Sequence, residues 1–323
     1  MEYPKVRRRK RTSGPAKGVY ADLDDLIRLQ FKARGFGFLP RQPVHSILSG
    51  RYASRIRGRG FDFEEIRRYL PGDDVRSIDW KVTARMRKPH TRVFTEERDR
   101  PTLLLVDQRI GMFFGTRVRM KSVVAAEAAA LAAWRVVDAG DRVGALVFND
   151  SSIVEVRPHR SEARVMRILE AVVEMNHALS VNSDATPNLD ILNRVLDQAV
   201  RLAKHDYLVV VISDFDGADE ETRRHFIRIA AHNDLLGVLV HDPSATEIPS
   251  AGDMVVTDGE LQVQLRLGSE RVRKSVESMA SGRMSQLLGW QREIGVPMLP
   301  INTVEDVAEQ VRSLMGRAGT GGR

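Results

Sequence analysis

The sequence predicts an α/β fold: a mostly parallel sheet with helices on both faces, three layers in all, preceded by a small β-rich N-terminal subdomain. Two observations predict the sheet. Short apolar runs recur at 102–107, 207–213, 235–241 and 296–301, and the stretches between them carry helical periodicity. Two of these runs end in acidic loops, Asp107-Gln108-Arg109-Ile110-Gly111 and Asp214-Phe215-Asp216-Gly217. Open α/β sheets place their ligand sites at such strand ends. A third observation predicts the subdomain: residues 43–100 are punctuated by Gly50, Gly58, Gly60, Pro71-Gly72 and Pro89.

The elements follow in order. Residues 1–18 begin with Lys5, Arg7, Arg8, Arg9, Lys10 and Arg11 and read as a basic disordered arm. Residues 19–42 hold a helix over 23–33, capped by Asp22 with Leu23, Leu26, Ile27 and Phe31 on one face, and a linker. Within 43–100 the mixed segments 61–69 and 75–80 flank a turn, and 91–95 forms a short strand pairing back. Residues 101–315 make the main domain. Strand 102–107 leads to helix 118–138, with Lys121 at its exposed start. Strands 142–148 and 152–157 are joined at Asn149-Asp150-Ser151, a hairpin signal. Helices 161–175 and 188–204, strand 207–213, helix 219–231 and strand 235–241 come next. A short pair at 254–257 and 260–265, helix 269–293, strand 296–301 and helix 304–315 complete the domain. Residues 316–323 are a Gly-rich disordered tail.

Composition narrows the chemistry. The chain has 323 residues, 42% hydrophobic and 29% charged, and no cysteine, which excludes disulfides, zinc-thiolate sites and thiol nucleophiles. No signal peptide and no membrane-length apolar run is visible, so the sequence predicts a cytoplasmic protein. There is no P-loop and no Gly-x-Gly-x-x-Gly. His225 and His232, seven apart on one helix, are poor co-ligands. Charge is uneven: residues 1–100 hold 25 Lys and Arg against 13 Asp and Glu, whereas the remainder is acidic. The basic arm reads either as a solvated tail or as an anchor for anionic lipid at an inner-membrane surface or for nucleic acid. No aromatic residue for base stacking interleaves the Lys5 to Arg11 cluster, and nucleic acid is the less favoured partner.

The densest constellation runs from Gly58 to Arg85. It holds Gly60, Arg67, Tyr69, Gly72, Asp73, Asp74, Arg76, Asp79, Trp80 and Arg85. A catalytic reading gives Asp73 or Asp79 the role of general base, with arginines clamping an anion; a nuclease is the natural example. A structural or partner-binding network is the other reading, and the lack of a Ser–His or Cys–His pairing favours it.

This run resembles the signature of the domain of unknown function 58 family, roughly Gly-x-Gly-x-x-Phe, Arg-x-Tyr-x-x-Gly-Asp-Asp-x-Arg-x-Ile-Asp-Trp and Ala-Arg. The matching residues here are Gly58, Gly60, Phe63, Arg67 or Arg68, Tyr69, Gly72 to Asp74, Arg76, Ile78 to Trp80, Ala84 and Arg85. The resemblance implies a Rossmann-like von Willebrand factor A domain, and a MoxR-type AAA ATPase as the partner with which it assembles or matures an unknown client. In von Willebrand A domains a metal is held by Asp-x-Ser-x-Ser, a Thr and a further Asp. Carried over, these become Asp107 with Arg109 and Gly111 in place of the serines, a position near Thr186, and Asp214 with Asp216 beside it. The expectation is a vestigial metal site with no cofactor, or at most weak Mg²⁺ binding, in which Arg109 pairs with Asp107 or Asp214. Asp107, Arg109, Gly111, Thr186, Asp214 and Asp216 then form a partner-binding face of a non-enzymatic adaptor. Its guanidinium would receive a partner's carboxylate directly.

Overall fold

In the strand Thr102–Asp107, Leu104 and Val106 point to one face of the sheet while Leu103 and Leu105 point to the other, and all four are buried. A strand apolar on both sides requires helices on both sides. The computed structural model describes residues 18–34, 61–70, 75–96, 101–180, 186–243, 253–257, 262–266 and 286–315 apart from 288 and 291. The chain divides into two units, one of them His45–Asp99 and the other the remainder.

In the larger unit, helices α1 (Leu23–Arg28) and α2 (Gln30–Ala33) come first. The continuous helix expected over 23–33 is interrupted at Leu29, and the Trp134 indole N–H donates to the Leu26 carbonyl beside it at 3.2 Å. Phe31 is exposed rather than on the apolar face. The sheet is built from β3 (Thr102–Asp107), β4 (Val143–Phe148), β5 (Ile153–His159), β6 (Leu208–Ser213), β7 (Asp234–His241) and β10 (Met298–Asn302). Its order is β10-β7-β6-β3-β4-β5, all parallel except the β4–β5 hairpin. Counted within the sheet, that is the doubly wound order 3-2-1-4-5-6, a Rossmann-like α/β sheet as the sequence predicts. Both outer strands contain a proline, Pro158 in β5 and Pro300 in β10.

One face is covered by α1, α4 (Lys121–Asp138), α5 (Glu162–His177) and α8 (Val307–Met315). Alanines fill the middle of α4, from Ala125 to Ala133, and 13 of its 18 residues are buried. With so little side-chain bulk the helix can lie close to the sheet and to its neighbours on several sides. It ends in a Schellman turn: Gly140, at φ +83°, donates to Val137 O and Asp141 to Val136 O. The other face is covered by α6 (Ile191–Leu202), α7 (Glu220–Ala230) and helical residues within 286–294. A capping box between Asp219 and Thr222 opens α7. The strands β8 (Asp253–Thr257) and β9 (Gln262–Arg266) pair as a separate hairpin. Most of the helix expected over 269–293 lies outside the described residues. No described helix is long and apolar enough to cross a membrane.

The smaller unit pairs β1 (Phe61–Arg68) with β2 (His90–Glu96), antiparallel, with a bulge between Phe63 and Glu65. It also holds a helix the sequence did not announce, α3 (Trp80–Met86), capped by Asp79.

A buried amide ties the N-terminal segment to the core. Asn176 accepts from Ala21 N–H at 2.7 Å and donates to Gln108 Oε1 at 2.9 Å, and Gln108 in turn donates to Ser122 O at 3.0 Å. Replacing Asn176 with Ala orphans two buried polar groups at about 1–3 kcal/mol each. Urea unfolding should show a lower midpoint with an unchanged slope, and limited proteolysis should release the segment around Ala21.

Candidate functional site

Strands β3 and β6 lie side by side and in register, so their carboxyl ends bring Asp107 next to Ser213. Both residues are fully buried. The Ser213 hydroxyl donates to Asp107 Oδ2 at 2.6 Å and accepts from the Phe215 N–H at 2.8 Å. This folds the loop after β6 back over the strand end. Phe215 takes a positive φ of 55°, a conformation that costs a non-glycine residue about 1–2 kcal/mol. Its ring holds it there, buried edge-on against Phe226. The turn then directs the Asp216 N–H onto Asp214 Oδ1 at 3.0 Å.

Arg109 curls back over Asp107. Its backbone N–H meets Asp107 Oδ1 at 2.9 Å, its Nε reaches both carboxylate oxygens at 3.1 Å, and its Nη2 reaches Oδ2 at 2.8 Å. Nη1 donates to the Asp216 carbonyl at 3.0 Å, and the guanidinium carbon lies 5.9 Å from the Phe148 ring centre. Lys121, the first residue of α4, donates to Asp214 Oδ2 and lies 5.8 Å from the Phe114 ring centre. The sequence placed Lys121 at an exposed helix start. Its side chain is instead only 12% exposed, because α4 begins three residues later than expected and that end faces the acidic loop.

The electrostatics follow from burial. Burial alone pushes the Asp214 carboxyl up, but Lys121, then Arg109 and the Asp216 N–H, outweigh it and hold it below the usual carboxylate range. Burial also disfavours a charged Arg109, and Asp107 more than reverses that, with smaller help from Asp214 and Asp216, so the guanidinium stays protonated. The arrangement does not fit a divalent cation. Mg²⁺ demands about six oxygens in near-octahedral array. Here the carboxylate oxygens already face a guanidinium and an ammonium, and neither Arg109 nor Gly111 offers a side-chain oxygen. Among the described residues, no group of three or more His, Asp or Glu side chains is arranged to hold a metal.

A second junction ties the neighbouring loops together. Asp150, beyond β4, accepts from the Ile110 N–H at 2.6 Å and from the Asn188 N–H at 2.9 Å, and Asn188 Nδ2 returns a bond to its carbonyl. In the sequence Asp150 was legible only as part of a hairpin turn. Thr186 is exposed and lines a cavity of about 120 Å³ with Ile110, Asp150 and Met175. Asn188, two residues on, makes this loop's bonds to Asp150. Gly111 lies by Asp216: a Cβ built on it would sit 3.8 Å from the Asp216 carboxylate. The direct capture of a partner's carboxylate by Arg109 is not what the geometry provides, because the side chain is 4% exposed and turned onto Asp107 and Asp216.

In the smaller unit, three of the signature residues make hydrogen bonds to the backbone. Asp79 Oδ1 accepts from Lys81 and Val82 N–H, its own N–H donates to His90 O, and the Tyr69 N–H donates to Pro89 O. Asp79 thus caps α3. Arg67 Nη1 donates to Arg68 O at 3.1 Å, Arg76 and Arg85 are exposed, and Trp80 is 69% exposed. Gly60, Gly72, Asp73 and Asp74 lie outside the described residues.

Fold and site together define a Rossmann-like α/β domain whose buried carboxylates at the ends of β3 and β6 are met by the chain's own cations. The chain belongs to the family described as "Protein of unknown function DUF58", which matches residues 65–285. Uncharacterized proteins of Mycobacterium tuberculosis and Mycobacterium bovis are 30% identical over 306 residues, covering 94% of both chains. One from Mycobacterium avium is 29% identical over 39% of this chain and 75% of its own. A crystal structure titled as the conserved hypothetical protein BatB from Bacteroides thetaiotaomicron overlays 67% of this chain and 98% of its own, with a TM-score of 0.37 and 9% identity.

Two variants test the electrostatics. Arg109→Met leaves a buried carboxylate without its cation and should cost about 3–5 kcal/mol in chemical unfolding. For Lys121→Met the pH dependence is diagnostic. With a folded-state pKa below its unfolded value, Asp214 contributes stability that is present above about pH 4 and lost as pH falls through the folded pKa. The stability gap between wild type and Lys121→Met should therefore be widest near neutrality and close on acidification, read by urea titrations at a series of pH values.

Proposed function

We propose that the protein is a non-enzymatic interaction adaptor that works with a MoxR-type AAA ATPase in the assembly or maturation of a client protein. Its binding face is the loop surface at the carboxyl end of the six-stranded sheet. One observation carries this reading. The charged groups at that end neutralise one another, Asp107 and Asp214 against Arg109 and Lys121, which leaves a rigid loop platform rather than a poised reaction centre. The ATPase partner comes from the resemblance of the 58–85 signature. Contacts then fall on the rim of the platform, on Asp216, Thr186 and Leu189. Leu189 is 47% exposed and lies against Gly217. The adaptor would act in the cytoplasm, with the Arg7 to Arg11 cluster as its contact to an anionic membrane surface.

The test is recovery of partners from the native host with the tagged protein, with and without ATP, identified by mass spectrometry. The expected result is a AAA ATPase recovered in a nucleotide-dependent manner, reduced at least about tenfold by Leu189→Glu at unchanged thermal stability. Failure to recover any ATPase would overturn the adaptor reading.

One feature favours a second reading, a nucleic-acid-binding protein. Between residues 66 and 91, Arg68, Arg76, Lys81, Arg85, Arg87 and Lys88 are exposed, and the one described acidic residue among them, Asp79, is buried. A steep fall of RNA or DNA affinity with salt, removed by charge reversal at Lys81 and Arg85, would support it.

A further inference from the structure

We infer that Arg109 and Lys121 act as a built-in dication that occupies a latent divalent-metal site, so that the loops at the carboxyl ends of β3 and β6 are set without metal and present their surface independently of it. The inference concerns the loops themselves and holds whichever partner they meet.

Charge is the first argument. Two buried carboxylates, Asp107 and Asp214, face two side-chain cations, the same compensation that one divalent ion would give. Geometry is the second. Arg109 Nη2 lies 2.8 Å from Asp107 Oδ2 and 3.8 Å from Asp214 Oδ1, between the two strand ends, while Lys121 takes the other oxygen of Asp214. The cations thus address both carboxylates from within, as a bridging ion would. Placement is the third. A lysine at the first position of an 18-residue helix opposes the helix dipole, so its position is favourable only because Asp214 meets it.

Three substitutions would supply and free the donors of a metal shell. The Ser213 hydroxyl already contacts Asp107 at 2.6 Å. A Cβ at Gly111 would meet nothing closer than the Asp216 carboxylate at 3.8 Å, so serine fits there. Arg109→Ser removes the guanidinium and supplies a second hydroxyl, and Lys121→Ser frees Asp214. Together these open an oxygen-lined position of the hard-cation type.

The experiment uses the full-length chain and Mn²⁺ as probe, with free Mn²⁺ followed by electron paramagnetic resonance and stability by thermal unfolding. Wild type should bind no Mn²⁺ at this site and unfold at the same temperature in chelator and in Mn²⁺. The Arg109→Ser/Gly111→Ser/Lys121→Ser variant should unfold earlier in chelator. It should bind one Mn²⁺ with a Kd on the order of 10⁻⁴–10⁻³ M and recover roughly 5 °C at saturating ion. Adding Asp107→Asn should abolish both effects. Two results would overturn the inference: Mn²⁺ binding by wild type that Asp107→Asn removes, or a folded triple variant that binds none. The wild-type measurement decides even if the triple variant does not fold.

Discussion

Two carboxylates sit at the carboxyl ends of adjacent parallel strands, buried from water, and buried carboxylates are tolerated only where cations and hydrogen bonds meet them. Everything at this end of the molecule is arranged around that constraint. Arg109 is brought over Asp107 by a loop that begins with its own N–H on the same carboxylate. Lys121 is brought to Asp214 by the start of α4. The Ser213 hydroxyl joins the two halves by donating to Asp107 while it accepts from the loop that follows Asp214. A removed cation leaves an uncompensated buried charge, which costs far more than the pair itself contributes. The site is thus more a fixture than a receptor.

The rest of the larger unit holds this fixture in place. The alanine run of α4 brings its first residue close to the sheet end, and the residues before it are secured by Asp242. Thr116 donates through its N–H and its hydroxyl to Asp242 at 3.0 and 2.7 Å, and Thr303 donates to the same carboxylate at 2.6 Å. Met120 N–H donates to Gly18 O at 2.9 Å, so the N-terminal segment braces the same turn. Asp150 does the equivalent for the loops on the other side of Arg109.

The sheet was legible in the sequence because buried parallel strands are written as continuous apolar runs, and 102–107, 207–213 and 235–241 are such runs. The pairing of Arg109 with Asp107 was legible too, since the partners are two residues apart at a strand end. Lys121 was not, because its partner lies 93 residues away and its exposure depends on where α4 starts. That start is fixed by Asp242, 126 residues from Thr116, which no local pattern reveals. Asp150 was hidden for a related reason: a turn-forming aspartate and a loop-bridging one look alike until the loops come together. In the 58–85 run, the chemistry of Asp79 could be read either way from the sequence. Its two backbone donors give it a capping role that no spacing in the sequence singled out.

The prolines of β5 and β10 have a consequence for how anything can attach to this molecule. An outer strand normally exposes a ladder of amide hydrogens on which a guest strand can extend the sheet. Pro300 deletes one rung from the free side of β10, while in β5 Pro158 falls at the bulge opposite Gly144 and the exposed charges of Glu155 and Arg157 precede it, so both borders of the six-stranded sheet are poor templates for strand addition. Association is thereby steered away from backbone ladders toward side-chain surfaces, which mutate freely without disturbing the sheet beneath them.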